Sequence, residues 1–333
     1  MFEEATVESS IIVLQKKPLS QDFSVANLSG SYDVKSSLSE YFNKNSFDFK
    51  LPETTEWFIG NRLEVKLKNK MENGSRLLKD FDVRINFGLK TGLNEAFIID
   101  EKQKNELINE DPNNKEIIKP IIRGRDLSKF IYEFGNMYII NAHNGVKSIG
   151  LKRIEVKNEY PSIYKHLEKY LPQIENRSDM GDHWSNLRNC AYLEDFNKEK
   201  IIWGEISDKP KFAFDDQNYF AEATTFLMTG EKLKFLLAIL NSKISGWYFN
   251  LISTTTGMGT NRWKKYKILQ LPIRQPSEDQ EKSLESIVDK IIAKKKENVL
   301  YDTTALESQI DQLVYQLYGL TAEEIAIVER SVK

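Results

Sequence analysis

The hydrophobic pattern predicts most of the elements of this chain. The opening run Ala5-Thr6-Val7-Glu8-Ser9-Ser10-Ile11-Ile12-Val13-Leu14-Gln15 is strand-like and rich in β-branched residues. It reads as the tail of a sheet whose other strands lie elsewhere. Residues 18–55 are polar, rich in Ser, Asn and Asp, and read as a linker. Ile59, Leu63, Leu67 and Met71 share one face of a predicted helix. Strands are predicted at 83–87, 95–100, 137–141, 200–206, 211–214 and 219–228. A further helix has Pro161 in its first turn and is ended by Pro172. Leu233, Leu236, Leu237, Leu240, Ile244, Trp247 and Leu251 give residues 231–252 helical spacing, loosened at Ser245-Gly246. That stripe reads as core packing.

The C-terminus is more sharply written. Ser277…Gln280, Thr304…Glu307 and Thr321…Glu324 each have capping-box spacing. Between them lie Leu284, Ile287, Val288, Ile291 and Ile292, then Leu306, Ile310, Leu313, Val314 and Leu317. Two long amphipathic helices and a short third follow, with Gly319 where a helix C-terminus favours glycine.

At 333 residues, 40% of them apolar and 29% charged, the chain can bury a substantial core. Its length suits two domains, or one domain with a helical appendage. No apolar run approaches the roughly 20 residues of a membrane span. Met1-Phe2-Glu3-Glu4 is acidic and unlike a signal peptide. The single Cys190 excludes an internal disulfide and fits a reducing cytosol, so a cytoplasmic location is expected. One Cys and three dispersed His (His143, His166, His183) do not make a zinc cluster.

The net charge of −2 conceals a gradient. Residues 82–275 carry 29 Lys and Arg against 25 Asp and Glu, whereas residues 276–333 carry 7 against 12. The middle is therefore the candidate anion-binding part, and the acidic helical tail is suited to packing on another domain or a partner.

Three stretches carry candidate chemistry. The first is Gly88-Leu89-Lys90-Thr91-Gly92-Leu93-Asn94, which runs into the apolar Ala96-Phe97-Ile98-Ile99. Gly88 and Gly92 permit unusual backbone angles and close approach of another backbone. Lys90, Thr91 and Asn94 offer donors suited to a phosphate or a base edge. The same pattern also suits an ordinary hairpin loop. The second is the window Lys243–Ser277, which holds Lys243, Arg262, Lys264, Lys265, Lys267 and Arg274 and no acid. Its centre, Ser253 to Tyr266, mixes hydroxyls, glycines, an amide, cations and aromatics, as a phosphodiester-binding surface does. A solvated basic loop is the competing reading, and packing is the commoner use of Trp263 and Tyr266. The third is Lys119-Pro120-Ile121-Ile122-Arg123-Gly124-Arg125-Asp126, whose Arg forks suit phosphate and guanine, or a pair with Asp126.

Absences narrow the reading. The chain has no Gly-x-x-x-x-Gly-Lys-Ser/Thr loop, no Gly-x-Gly cofactor turn after a strand and no Gly-x-Ser-x-Gly elbow. Asp195, Glu205, Asp208, Asp215 and Asp216 are scattered, and Asp215-Asp216 with Glu222 do not assemble into a convincing metal nuclease site. No catalytic residue and no metal ligand is assigned.

The blocks Phe87 to Phe97, Ile118 to Asp126, Lys200-Ile201-Ile202-Trp203, Phe212-Ala213-Phe214-Asp215, Leu236 to Lys243, Leu271-Pro272-Ile273 with Glu278-Asp279-Gln280, and Leu313 to Leu320 occur in order. Together they resemble the TaqI-like C-terminal specificity (target-recognition) domain of adenine-specific DNA methyltransferases and type IIG restriction–modification enzymes. The resemblance covers roughly residues 57–330; its specificity lies in the order of the blocks. Residues 2–14 look like the last hairpin of that family's methyltransferase core. The chain departs from the complete enzymes in lacking the Asn-Pro-Pro-Tyr motif, the glycine-rich S-adenosylmethionine motif and any nuclease domain.

The resemblance implies a mixed α/β (α+β) recognition domain, with a curved mixed or antiparallel sheet and a helical C-terminal extension. Its boundaries would be a core remnant at 1–17, a linker at 18–55, the recognition domain at 56–275 and the helical extension at 276–333. It implies duplex DNA and a methyltransferase core as partners, and no membrane. The core would be part of the same polypeptide or a separate subunit. S-adenosylmethionine, and Mg²⁺ if a nuclease is fused, belong to the parent enzyme and not to this part. The expected DNA contacts are Lys90, Thr91, Asn94, Arg123, Arg125, Thr255, Asn261, Arg262, Lys264 and Lys265. The alternative is a separate specificity subunit or a helical interaction protein that docks on a methyltransferase.

Overall fold

The computed structural model describes residues 22–26, 28, 32–50, 62–178, 180–253 and 260–331. The strand expected at 5–15 and the contact expected at Thr255 lie outside them.

The stretch read as a linker carries regular structure. Strand β1 (Asp22–Val25) pairs antiparallel with β2 (Phe47–Lys50), and helix α1 (Leu38–Asn45) lies between them in sequence. Ser37 caps α1 by accepting a hydrogen bond from the Glu40 amide. The helix buries none of its residues, so its polar sequence carries no core signal.

The body begins with α2 (Arg62–Glu72), β3 (Ser75–Leu77) and β4 (Val83–Phe87). A helical turn, α3 (Asn94–Phe97), leads into β5 (Ile98–Asp100), α4 (Glu101–Glu110), β6 (Ile118–Ile122) and β7 (Met137–Ile140). Helices α5 (Val156–Glu159) and α6 (Pro161–Glu168) follow. Next come β8 (Lys200–Gly204), β9 (Ile206–Ser207), β10 (Phe212–Asp215), β11 (Phe220–Ala221) and β12 (Thr225–Gly230). The chain closes with α7 (Leu233–Asn241), α8 (Lys243–Ile252), β13 (Asn261–Arg262), α9 (Lys265–Ile268), β14 (Pro272–Arg274), α10 (Glu278–Glu297), α11 (Thr304–Tyr318) and α12 (Ala322–Ser331).

The central layer is an antiparallel sheet in the order β10-β8-β12-β4. Successive side chains of a strand point to opposite faces, and here each face meets its own core. Ile201, Trp203, Phe212, Phe214, Phe226 and Met228 pack against the helices. Ile202, Ala213 and Leu227 pack into the second core. Burial on both faces explains the unbroken apolar runs of these strands.

The second core is roofed by a mixed sheet in the order β11-β6-β7-β5, in which only β11 and β6 run parallel. Helices α4 and α6 add Leu107, Ile163 and Leu167 to it. Lys200 of β8 and Asp215 of β10 form a 2.5 Å ion pair with no solvent exposure. Lys200 also donates to the Phe196 and Lys198 carbonyls, and Asp215 accepts from Tyr132 Oη and from the Gln217 and Tyr219 amides. Every partner that a buried pair requires is therefore present. Burial depresses the Lys200 pKa, opposed by Asp215, and raises that of Tyr132.

On the helical side, α10 lies on α7 and inserts Leu284, Ile287, Val288, Ile291 and Ile292 into the same core. Each buried aliphatic side chain contributes about 1.5–3 kcal/mol, so packing rather than propensity holds α10 in place. The acidic tail pairs with cations of the middle segment: Lys232 with Glu281 (2.6 Å), Lys234 with Asp289 (2.6 Å) and Lys243 with Glu329 (2.6 Å). The charge gradient is thus partly an internal match. Helix α2 is held by β14 and α12, with Lys70 donating to Glu324 (2.6 Å) and Tyr248 to Glu72 (2.7 Å).

Three local expectations need correction. The strand expected at 95–100 starts only at Ile98, because Thr91 turns the chain into α3 by accepting from the Leu93 amide and donating to Asn94 Oδ1. The long helix expected at 231–252 breaks at Ser242, not at Ser245-Gly246. The Ser242 backbone is extended, and its hydroxyl donates to the Ile239 carbonyl at the end of α7. The capping box expected at Thr304…Glu307 is shifted: Thr303 is the cap residue, and its hydroxyl donates to Glu307. The boxes at Ser277 and Thr321 form, and Gly319 closes α11 at φ 65°.

Candidate nucleic-acid interface

The Gly88 loop is no hairpin. It carries the chain from β4, at the edge of the central sheet, to β5 in the second sheet. Its landing point is the turn Glu222-Ala223-Thr224-Thr225 between β11 and β12. The Gly88 amide donates to the Thr225 carbonyl (2.8 Å) and the Leu89 amide to the Ala221 carbonyl (2.7 Å). A Cβ at Gly88 would overlap the Glu222 carbonyl, so this glycine is needed for close approach and not for a positive φ. Gly92, at φ 75°, supplies the left-handed residue. Asn94 Nδ2 then donates to Glu222 Oε1 (2.9 Å), fixing the loop to the turn.

The other predicted loops reach the same turn. A Cβ added at Gly124 would lie beside the Thr224 and Thr225 side chains, and one added at Gly204 would come within 3.9 Å of the Gly124 Cα. The Glu205 amide donates to the Thr224 carbonyl (3.0 Å), and the Glu205 carbonyl accepts from the Trp263 amide (2.7 Å). Strand β13 pairs with β9 there, setting Arg262 opposite Ile206. Segments 88–94, 123–126, 204–207, 222–225 and 261–264 thus form one continuous rim.

The predicted contact residues divide on this rim into exposed groups and frame. Lys90 and Arg125 are exposed. Lys90 Nζ lies 6.0 Å from the Phe87 ring centroid. Arg262 is exposed and Lys264 half-buried; both approach Glu205, at 3.4 and 3.8 Å. Lys265 is half-buried at the start of α9, and Asn94 is exposed but bound to Glu222. Thr91, by contrast, is 1% exposed, its hydroxyl occupied within the loop. Arg123 grips Asp126 through Nε and Nη2 (3.0 and 2.9 Å), and these hydrogen bonds raise its pKa further. Asn261 is buried among Ser253 and Asn250.

The acid-free window is less basic in space than in sequence. Lys243 is engaged by α12, Lys267 is buried, and Arg274 donates to the Lys70 carbonyl. Trp263 is core: its ring stacks on Phe249 at 3.8 Å and its indole donates to Ser207 O (3.1 Å). Tyr266 remains exposed.

Sequence reasoning missed the 222–225 turn, the position of Glu205 and the role of Arg177. Arg177 is buried and donates to the carbonyls of Thr91, Trp184 and Asn186, with its guanidinium over the Phe97 ring at 4.6 Å. It clasps the Gly88 loop from its buried side. The one available signal was the polar break between the residues of β11 (Phe220–Ala221) and β12 (Thr225–Gly230).

The scattered carboxylates stay apart. Asp215 pairs with Lys200, Asp216 with Lys296 (2.8 Å) and Asp195 with Lys198 (2.8 Å). Among the described residues no group of three or more His, Cys, Asp or Glu could hold a metal ion, and no helix is long and apolar enough to cross a membrane.

The chain is similar to several known proteins. The chain is 28% identical over 249 residues to the type II methyltransferase M.MjaIV of Methanocaldococcus jannaschii, covering 72% of this chain and 79% of that protein. Its fold resembles that of the type IIL restriction-modification enzyme MmeI, solved in complex with DNA (TM-score 0.53, 13% identity, 78% of this chain and 36% of that one). The type IIG restriction endonuclease BpuSI matches at TM-score 0.48 and 14% identity, over 82% of this chain and 35% of that one. The chain spans about a third of the length of these two enzymes. The family model of the TaqI-like C-terminal specificity domain matches residues 119–273, which include Arg123, Arg125, the 222–225 turn and Arg262. Over residues 119–273 the chain is therefore similar to the TaqI-like C-terminal specificity domain.

Proposed function

We propose that this chain is the DNA target-recognition module of a restriction–modification adenine methyltransferase. It binds duplex DNA and positions the target for a methyltransferase core, joined to it or separate, that carries out the transfer. The supporting observation is the convergence of five segments on one rim that presents Lys90, Arg125, Arg262 and Lys264. Cations so placed neutralise phosphates and release counterions. Thr91, Arg123 and Asn261 serve as the frame that aims them, while Lys265 and Asn94 complete the surface.

S-adenosylmethionine, and Mg²⁺ where cleavage accompanies methylation, are assigned to the other domain.

The test is duplex binding across a salt series. Affinity should fall linearly in log–log form, with a slope of about −0.9 per phosphate neutralised. A salt-independent affinity would refute the reading. A separate-subunit arrangement predicts in addition a complex with a methyltransferase core that survives gel filtration.

A further inference from the structure

The rim holds a carboxylate whose position the fold fixes but does not need. Glu205 is anchored on both sides by its backbone, through Thr224 and Trp263. Its side chain is 32% exposed and touches Arg262 at 3.4 Å and Lys264 at 3.8 Å. Exposed pairs at such distances contribute little to stability. The β9–β13 junction is held without them by Trp263 Nε1 on Ser207 O and Trp203 Nε1 on Trp263 O (3.1 and 2.8 Å).

On a surface that binds a polyanion, a fixed carboxylate repels phosphate. The base-edge groups it can accept from are exocyclic amino groups: N4 of cytosine, N6 of adenine and N2 of guanine. Resting on the proposed DNA-recognition role, we infer that Glu205 is a specificity-determining residue that accepts a hydrogen bond from the exocyclic amino group of one base. Arg262 and Lys264 hold it in the free protein and turn to the flanking phosphates in the complex. The flanking cations then supply affinity, and the carboxylate restricts it to one base edge.

The experiment selects binding sites from a random duplex pool with the full chain and with Glu205→Gln. The wild type should recover a consensus, and the variant should relax it at a single base pair while keeping the wild-type urea midpoint. At that position the amino group is then removed, using 2-pyrimidinone for cytosine, purine for adenine or inosine for guanine. The matching analogue should weaken wild-type binding about tenfold and leave the variant nearly unaffected. Three results would overturn the inference. A variant that binds every duplex more tightly with its preference intact would make the carboxylate a repulsive group only. Salt-dependent binding without any consensus would remove Glu205 as a reader while leaving the DNA-binding role standing. The absence of salt-dependent duplex binding would remove both.

Discussion

Replacing Gly88 by alanine tests the junction on which the rim depends. The added Cβ would overlap the Glu222 carbonyl and lie 2.7 Å from the Ala221 carbonyl oxygen, and neither backbone group can swing aside as a side-chain tip does. Moving the turn away breaks the Gly88–Thr225 and Leu89–Ala221 hydrogen bonds, at about 1 kcal/mol each, and overpacking adds about 1–3 kcal/mol. The expected loss is therefore about 3–5 kcal/mol. With a urea m-value near 3 kcal/mol/M, the midpoint should fall by about 1–1.7 M at unchanged m. Gly150→Ala is the internal control: its φ is 72° but nothing lies within 4 Å of the added Cβ. Only the left-handed backbone is strained there, at about 1 kcal/mol. The reasoning is refuted if Gly88→Ala costs no more than Gly150→Ala. The surviving folded fraction should also show weakened duplex binding, because Glu222 and Asn94 move with the turn.

Other expectations follow from the same geometry. Arg125→Ala should leave the urea midpoint within about 0.5 kcal/mol of wild type yet flatten the salt slope of DNA binding by about 0.9. Arg123→Ala should do the reverse, losing about 2 kcal/mol of stability by stranding the buried Asp126; equal effects of the two on the salt slope would contradict the division between them. Asp215→Asn leaves the Lys200 ammonium buried without its counter-charge and should cost about 3–5 kcal/mol in urea unfolding, whereas a cost under 1 kcal/mol would mean that the pair is hydrated. His143, His166 and His183 all have pKa values depressed below 6.5, chiefly by burial. The unfolded chain thus takes up protons that the folded chain refuses. Stability should be full above about pH 7 and fall as pH drops through 6.5, with His166→Gln reducing the drop; a midpoint that is flat or rising between about pH 7 and 5.5 argues against it.

The apolar runs at 200–206 and 211–214 could be read directly, because strands covered on both faces write an unbroken signal, whereas the single strand read at 219–228 is two, β11 and β12, divided by the 222–225 turn. The C-terminal helices were legible through Ser277, Thr321 and Gly319, whose side chains or missing side chain act locally. Helix α1 escaped because it buries none of its residues and lies in a stretch rich in Ser, Asn and Asp. At the candidate site the loops were legible but their roles were not. Nothing in the string Arg123-Gly124-Arg125 says that the first arginine grips Asp126 while the next stays exposed. Packing was the commoner use expected of Trp263 and it is the one found, but its partner Phe249, fourteen residues earlier in the chain, could not be named from spacing. The acid-free window lost part of its apparent charge to partners distant in sequence: Lys243 pairs with Glu329 of α12, Arg274 donates to the Lys70 carbonyl, and Arg262 and Lys264 face Glu205.

The lacing of α2 to α12 sets the order in which this protein can be finished. Lys70 and Glu324 are 254 residues apart, and at about 5–20 residues per second their synthesis is separated by roughly 13–50 s. Through that interval α2 lacks the last helix against which it packs, and its Leu67 and Met71 lack part of their final cover. The packing around α2 is therefore completed only once α12 has left the ribosome. Nascent chains stalled before α12 should be markedly more sensitive to protease within α2 than released ones. Closure around α2 thus waits on α12, whatever the order in which the segments between them fold.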